Sequence, residues 1–239
     1  RYSSSAASDV YKRQFVECVE GIGEASKYLA FPVVSGNVSF YNQTKEIGIK
    51  PTPVIGGVGL IKDYTKMITM NFKSEGNLVL VIGKTEGHLD QSLFARTILD
   101  EKNGPPPEIN LFNEKNNGET ILKLIEDNYI KSAHDVSLGG ILMGVSKMCI
   151  EGNIGIEIKK PNSLLNEFEY FFSEDQGRYI IEISKSDIKK VTSILEKNAV
   201  HYDEIGTLVG KSVSFNEKTI VPVDELKSYN NNWLKDYMR

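Results

Sequence analysis

Apolar and polar positions alternate along the chain with two different periods. Apolar residues recur at spacings of three and four over residues 15–29, and this pattern predicts an amphipathic helix. Residues 78–83 form a continuous apolar run, which is typical of a strand buried on both faces. Residues 224–237 again follow the helical period, and one stripe of that helix is apolar and aromatic. Such a stripe indicates packing in a core or an interface rather than a cofactor site.

The same patterns predict the remaining elements. Helices are expected at 91–99, 108–116, 118–129, 141–149, 164–172 and 187–198. Strands are expected at 33–34, 54–61, 154–158, 179–183, 204–209, 213–215 and 219–221. Strands and helices that alternate in this way predict an α/β fold, arranged as an α+β sandwich. A polar turn at residues 73–77 marks the boundary between two structural units.

Composition and charge narrow the class of protein. The chain has 239 residues, of which 40% are hydrophobic and 25% charged, as in a soluble globular protein. The net charge of −4 gives no reason to expect a nucleic-acid partner. No apolar run is long enough to cross a membrane, and no signal peptide is visible. Cys18 and Cys149 are expected to be buried free thiols, which suits the cytoplasm.

The first fourteen residues differ from the rest of the chain. They include a run of serine and alanine and show no apolar period. We expect residues 1–14 to be a non-native or disordered tail, such as a translated adapter sequence. The native chain is then expected to begin upstream of Phe15.

The loop at residues 33–42 is the strongest candidate for a binding site. Two β-branched residues lead into a run of small and amide side chains, which predicts a strand that ends in a sharp turn. Gly36 can adopt a positive φ and permits close approach of a ligand. The oxygen atoms of Ser35, Asn37 and Ser39 suit phosphate, hydrated Mg²⁺ or a polar small molecule. The alternative is an ordinary polar turn.

Three other polar or glycine-rich segments invite functional hypotheses. Residues 54–61 contain several glycines but lack the Gly-Lys-Ser/Thr ending of a phosphate-binding loop. A buried strand is therefore the better interpretation. Glycines at 139–140 lie at a predicted strand-to-helix junction, which is a general anion site. His134 and Asp135 could suggest a metal-dependent hydrolase. Only His88 and His201 remain as further histidines, in unrelated contexts, so a structural role is favoured.

Four motifs together resemble one enzyme family. They are FPVVSGNVSFYN at 31–42, PTPVIGGVGL at 51–60, AHDVSLGG at 133–140 and FSEDQGRY at 172–179. The chain from Phe15 onward resembles the synthetase subunit of the phosphoribosylformylglycinamidine synthases. The first two motifs are specific to that family, whereas the last two occur in variant form across the aminoimidazole ribonucleotide synthetase-like superfamily.

The resemblance implies a domain organisation. Members of the family contain two repeats, each an A domain followed by a B domain, and the two A domains share a barrel-like core. Residues 15–75 then correspond to the C-terminal part of the second A domain. Residues 76–239 correspond to the complete second B domain with its terminal helix.

The resemblance also implies an activity. The family joins ammonia from glutamine to formylglycinamide ribonucleotide with consumption of ATP, which forms an amidine. By resemblance, Gly36 contacts ATP, Asn37 ligates Mg²⁺ and Ser39 contacts the ribonucleotide. The family's catalytic histidines lie in its first half, so no catalytic residue is expected in this chain. The fragment is expected to be inactive alone. Its implied partners are the missing N-terminal half, a glutaminase subunit or domain and a small bridging subunit.

Two alternatives remain open. The chain could be a non-catalytic nucleotide-binding lobe that completes a partner's site, or a kinase-like relative such as selenophosphate synthetase. In the first case an auxiliary nucleotide would bind at the second and third polar loops, which are residues 132–140 and 173–178. The residues concerned are His134, Asp135, Ser137, Glu174 and Gln176. For Glu174 and Gln176, a structural role in organising these loops is favoured over catalysis.

Overall fold

A computed structural model describes residues 4–39, 43–45, 47–48, 52–216 and 219–238, without the side chains of 4–11 and 219. The chain divides into two compact units, Arg1–Ile61 and Lys62–Arg239. Each unit is described by itself. The predicted domain bounds of 15–75 and 76–239 stay predictions.

The first unit contains one long helix and a small hairpin. Helix α1 covers Ser4–Tyr28, and strands β1 (Gln43–Thr44) and β2 (Ile47–Gly48) pair in antiparallel fashion. The helix therefore begins well before residue 15, where the sequence pattern predicts its start. Alanine is a strong helix former. An ion pair of 2.8 Å between Arg13 and Glu17 also joins residues 4–14 to the helix predicted from residue 15. That residues 1–14 are a non-native or disordered tail stays a prediction.

Two strands predicted in this unit are absent from the described residues. Residues 33–34 and 54–61 have irregular backbone. Their apolar side chains face solvent, and Val34, Val58 and Leu60 are more than 90% exposed. A strand needs a neighbouring strand to which it is hydrogen-bonded. In the described part of this unit, only β1 and β2 pair in this way. Residues 40–42 of the first polar loop lie outside the described residues.

The second unit is a mixed α/β domain. Its α-helices are α2 (Leu93–Thr97), α3 (Leu111–Glu126), α4 (Gly140–Gly152), α5 (Glu167–Phe172), α6 (Ile188–Lys197) and α7 (Val223–Tyr237). Its strands are β3 (Leu78–Ile82), β4 (Ile130–Asp135), β5 (Ile156–Ile158), β6 (Tyr179–Ile183), β7 (Tyr202–Leu208), β8 (Ser212–Phe215) and β9 (Thr219–Pro222). Short 3₁₀ turns occupy Tyr64–Lys66 and Lys185–Asp187. None of the described helices is long and apolar enough to span a membrane.

The seven strands form one sheet in the order β4-β6-β3-β7-β5-β8-β9. All pairs are antiparallel except β5–β8. Every residue of β3 is buried, and its side chains alternate between two apolar clusters. One cluster includes side chains of α4 and α5, and the other includes side chains of α3 and α6. Helices thus cover both faces of the sheet, which confirms the predicted α/β fold with α+β layering.

Three details of the prediction are wrong. The helices expected at 108–116 and 118–129 are one continuous helix, α3, which includes Gly118. Helix α2 is only five residues long. Cys18 is exposed, whereas Cys149 is buried as expected, and burial raises the pKa of the Cys149 thiol to about 12.

The topology brings three polar segments to one edge of the sheet. Tyr179, the first residue of β6, pairs with Ile82 at the end of β3 and with Asp135 at the end of β4. The segments that follow β3 and β4 and precede β6 therefore meet there. We call these segments, residues 83–92, 136–140 and 173–178, the polar edge.

Candidate functional site

The candidate site residues fall into both structural units. Gly36, Asn37 and Ser39 lie in the first unit on an irregular segment, and all three are exposed. The φ of Gly36 is not in the left-handed region, and a Cβ placed there would meet no described atom within 4 Å. Neither the backbone nor the described packing therefore requires glycine at this position. Gly36 does not use the positive φ that glycine permits, and the space beside it is open among the described atoms.

Glu174 holds the polar edge together. Its Oε1 accepts hydrogen bonds from the backbone N–H groups of Leu93 (2.7 Å) and Gly139 (2.8 Å). These groups lie at the N-termini of α2 and α4, where helix dipoles favour a negative charge. The anion site predicted at the glycine junction thus contains a carboxylate of the chain itself. This contact agrees with the structural role favoured for Glu174.

Asp175 fills a second group of donors at the polar edge. Its carboxylate accepts hydrogen bonds from three consecutive backbone N–H groups, those of Glu86, Gly87 and His88, at 2.9–3.1 Å. Consecutive amides of this kind form an anion-binding nest. Asp175 is only 5% exposed, and its Oδ2 lies 3.7 Å from Nη1 of Arg178.

Arg178 is the most deeply buried charged group of this edge. It is 1% exposed and donates hydrogen bonds to the carbonyl oxygens of Ser173 (2.8 Å) and Asp175 (3.1 Å) and to the hydroxyl oxygen of Thr85 (3.1 Å). Burial lowers the pKa of its guanidinium group, and the charge of Asp175 opposes that shift. These hydrogen bonds hold residues 173–178 against residues 83–92, the segment that follows β3.

The other predicted residues of this edge are more peripheral. Gln176 is exposed and donates a hydrogen bond to the carbonyl oxygen of Glu174 at 3.2 Å. Ser137 is exposed, and its carbonyl oxygen accepts the N–H of Gly140. Nδ1 of His134 lies 3.0 Å from Oδ1 of Asp135, and Nε2 of His134 is buried without a described partner. The described residues contain no group of three or more His, Cys, Asp or Glu suited to a metal ion.

Glu182 is a buried polar residue that the sequence analysis missed. It is 0% exposed, and its carboxylate accepts hydrogen bonds from the backbone N–H groups of Lys73 and Ser74 and from the side chains of Asn77 and Ser132, at 2.7–3.1 Å. A carboxylate inside the otherwise mainly apolar strand predicted at 179–183 was a visible signal. Its partners were not, because most of them lie more than one hundred residues away.

Two partly buried groups next to the edge carry shifted pKa values. Burial raises the pKa of the Glu114 carboxyl group, although an N–H from Gly177 opposes the shift. The pKa of the Tyr179 hydroxyl is also raised, first by burial and then by the negative charges of Glu114 and Asp135. Both groups are therefore weaker acids than they would be in water.

Comparison with known proteins gives the class of the second unit. The sequence model of the family described as "AIR synthase related protein, C-terminal domain" matches residues 74–216. This match takes in more than half of the chain, and the chain belongs to that family.

Individual proteins that match the chain give a more specific comparison than the domain family does. The chain is similar to "Phosphoribosylformylglycinamidine synthase subunit PurL" from Pelagibacter ubique (strain HTCC1062), at 68% identity over 225 residues. It is similar to the protein of the same name from Rhodopseudomonas palustris (strain BisB5), at 39% identity. Each match covers 94% of this chain and 31% of the relative. The chain therefore spans about a third of the length of these relatives.

Solved structures share the fold. "T. maritima PurL complexed with FGAR" matches with a TM-score of 0.57 and 19% identity over 68% of this chain and 30% of that chain. "T. maritima PurL complexed with ATP" matches with a TM-score of 0.53 and 18% identity over 68% of this chain and 27% of that chain. At this identity the likeness shows the fold and not the ligands.

Proposed function

We propose that the chain is the C-terminal part of an ATP-dependent ligase of purine biosynthesis. The reaction would convert formylglycinamide ribonucleotide and ammonia, derived from glutamine, to the corresponding amidine. The observation that carries the proposal is the 68% identity to a phosphoribosylformylglycinamidine synthase subunit over 225 residues. Because the chain spans only 31% of that relative, we expect it to lack turnover alone.

Within this ligase, the segment containing Gly36, Asn37 and Ser39 would form one wall of the active site. The exposure of all three residues supports the proposal, as does the open space beside Gly36. The backbone at Gly36 would lie against the nucleotide. The Ser39 hydroxyl, which can donate and accept hydrogen bonds, would bind the ribonucleotide.

Asn37 would supply one oxygen ligand to Mg²⁺. The ion, when bound, would neutralise charge on the phosphates of ATP. An amide oxygen fits the hard-ligand preference of Mg²⁺, which usually retains several waters and shares phosphate oxygens. Since the described residues contain no cluster of metal-binding side chains, the remaining ligands would come from the missing part of the protein.

The proposed partners follow from the same relatives. The T. maritima structure entitled "Structure of PurLQS" supports further subunits beside the synthetase. We infer that a glutaminase subunit or domain supplies ammonia and that a small bridging subunit assists. The missing N-terminal half would contribute the catalytic residues. The proposed location is the cytoplasm.

The test uses a chimera of the Pelagibacter relative in which residues 15–239 of this chain replace the matching segment. Amidine formation is followed with ATP and ammonia at several Mg²⁺ concentrations. Asn37→Ala should lower kcat/KM by about a hundredfold and raise the Mg²⁺ requirement. Asn103→Ala, a matched substitution in an exposed loop of the second unit, should leave both unchanged.

Full activity of the Asn37→Ala chimera would remove the proposed role of this residue. An inactive chimera that still unfolds cooperatively would contradict the assignment of the chain to this ligase.

The alternative of a nucleotide-binding lobe has less support. Glu174 and Asp175 already accept hydrogen bonds from five backbone N–H groups, four in the polar edge and that of Leu93 directly after it, which would otherwise suit phosphate. Titration of the 239-residue chain with ADP and Mg²⁺ tests this alternative. Binding that survives Asn37→Ala but is lost in Gln176→Ala would favour it.

A further inference from the structure

A short segment of the second unit leads into β3 and crosses one edge of the sheet. We call this segment, residues 66–77, the strap. Ile68 packs against the apolar cluster that includes α3 and α6, whereas Phe72 belongs to the cluster that includes α4 and α5. These clusters lie on opposite faces of the sheet. The chain therefore passes from one face to the other between Ile68 and Phe72.

The strap crosses the sheet at β4, which is the outermost strand on that side. Thr69 forms a parallel bridge to Ser132 of β4. Among the described residues, β4 has a neighbouring strand on its other side alone, where it pairs with β6. An open strand edge can pair with another chain, and the strap covers part of this one.

Close packing fixes the strap on the face covered by α4. Phe72 is 1% exposed, and its N–H donates to the carbonyl oxygen of Met148 in α4 at 3.3 Å. A Cβ on Gly152, the last residue of α4, would lie 2.4 Å from the backbone oxygen of Phe72. The absence of a side chain at Gly152 therefore permits this close approach of the strap to the end of the helix.

Glu182 holds the next part of the strap. Its Oε2 accepts the backbone N–H of Lys73 at 2.8 Å. Its Oε1 accepts the backbone N–H of Ser74 at 3.1 Å and the side-chain amide of Asn77 at 2.7 Å. The fourth donor is the hydroxyl of Ser132 at 2.8 Å, and Ser132 is the residue of β4 that forms the bridge to the strap.

The burial of this carboxylate depends on the strap. Glu182 is 0% exposed and lies in β6 between Ile181 and Ile183. A buried carboxylate is costly unless it is hydrogen-bonded, and three of its four donors belong to the strap. Release of the strap would leave the charge with one donor, so the strap and the carboxylate stabilise each other. The matched family domain begins at residue 74, so most of the strap lies outside it.

We propose that the strap is a conformational device that opens and closes as one unit and that Glu182 holds it closed. Its contacts with both faces of the sheet and with the edge of β4 then break together. A change at Glu182 therefore loosens Phe72, and a change at Gly152 loosens residues 73–74. The proposal concerns the second unit by itself and does not depend on the ligase activity.

The test is amide hydrogen exchange of the 239-residue chain, measured by NMR at Phe72, Lys73 and Ser74. Glu182→Gln keeps the shape of the side chain, but its amide nitrogen cannot accept the N–H groups that an oxygen accepted. All three amides should exchange about tenfold faster, which corresponds to the loss of one hydrogen bond to a charged group. The Phe72 amide is decisive, because it donates to Met148 and not to Glu182.

The reverse experiment changes the other end of the strap. Gly152→Ala displaces the backbone of Phe72, so the amides of Lys73 and Ser74 should exchange faster although Gly152 does not contact Glu182. Coupling between two sites acts equally in both directions. Asn77→Ala removes one donor to Glu182 and leaves the carboxylate in place. It provides a milder variant in which the same three amides should exchange faster.

Two controls separate this effect from a general loss of stability. Glu174→Gln changes a carboxylate that accepts two backbone N–H groups at the polar edge, at the opposite end of β3 and β6 from the strap. It should leave the three strap amides unchanged. The second control is the wild-type chain in enough urea to match the global stability of Glu182→Gln.

The proposal is overturned if the Phe72 amide exchanges at the wild-type rate in both Glu182→Gln and Asn77→Ala, because the contacts of the strap then open independently. It is also overturned if Glu174→Gln, or the wild-type chain at matched stability, accelerates the three amides as much as Glu182→Gln does.

Discussion

Three carboxylates of the second unit interact mainly with uncharged donors, chiefly backbone N–H groups. Glu174, Asp175 and Glu182 together accept hydrogen bonds from seven backbone N–H groups. Among the ion pairs described for these three carboxylates, there is one, between Asp175 and Arg178. A buried carboxylate is tolerated where its oxygens are fully hydrogen-bonded. These side chains therefore organise loops, and their acidity alone does not indicate catalysis.

Asp175→Asn tests this account at the level of one residue. The substitution keeps the shape of the side chain but leaves the buried Arg178 guanidinium without its carboxylate. We expect a loss of about 3 kcal/mol in the free energy of unfolding, measured with urea. Asp100→Asn, whose side chain is 89% exposed beside Lys102, should change it by less than about 0.5 kcal/mol. Equal stabilities of the two variants would contradict the structural role.

The raised pKa of the Glu114 carboxyl group predicts how the stability of the protein depends on pH. This pKa is raised by burial above the ordinary value of 4.5, so the folded state binds the proton more tightly than the unfolded state. This group's contribution to stability is therefore present at low pH and is lost as the pH rises through the interval just above 4.5. Glu114→Gln should remove that decline in urea unfolding measured from acid to neutral pH. Glu119→Gln, on the exposed side of the same helix, should keep it.

Individual residues show what the sequence could and could not predict. The polar loops containing Glu174 and Asp175 were visible as motifs, and the structural role of Glu174 was favoured from the sequence. The partners of Glu182 were not predictable, because most of them lie more than one hundred residues away in the sequence. Distant contacts of this kind depend on strand order, which a single sequence does not determine.

At the scale of elements, the sequence pattern predicted the bounds of two short, mainly apolar strands most accurately. Strand β6 was predicted with its observed bounds, and β3 was predicted to within one residue. Helix α3 was wrongly divided at Gly118, because glycine weakens a helix by only about 1 kcal/mol and the packing of this helix outweighs that cost. The segment 54–61 has a strand pattern but no partner among the described residues, so it remains exposed.

Two glycines in helices give a matched pair of predictions. A Cβ on Gly118 in α3 would lie 3.5 Å from the Tyr179 hydroxyl, an ordinary contact. Gly118→Ala should therefore raise the free energy of unfolding by about 0.5–1 kcal/mol, through helix propensity. A Cβ on Gly152 in α4 would lie 2.4 Å from the backbone oxygen of Phe72, and Gly152→Ala should destabilise by about 1–3 kcal/mol. Thermal unfolding of both variants tests whether the free energy of unfolding changes in opposite directions. Destabilisation by both substitutions would contradict the ordinary contact described for a Cβ at Gly118.

At the scale of the whole molecule, the two units differ in how fully their apolar residues are buried. The second unit has two apolar clusters on either side of its sheet, and it contains the matched family domain. The first unit leaves valine and leucine side chains of residues 33–60 exposed. The relatives are about three times as long as this chain. If the chain is part of a ligase of that length, as proposed above, we expect the rest of that protein to cover those side chains.

The most direct measurement compares amidine formation, with ATP, ammonia and formylglycinamide ribonucleotide, by the 239-residue chain and by the chimera that carries its residues 15–239. We predict no product from the chain alone and product from the chimera at a rate close to that of the Pelagibacter relative. Turnover by the isolated chain, or a folded chimera that forms no product, would contradict the central claim that this chain is one part of a larger ligase.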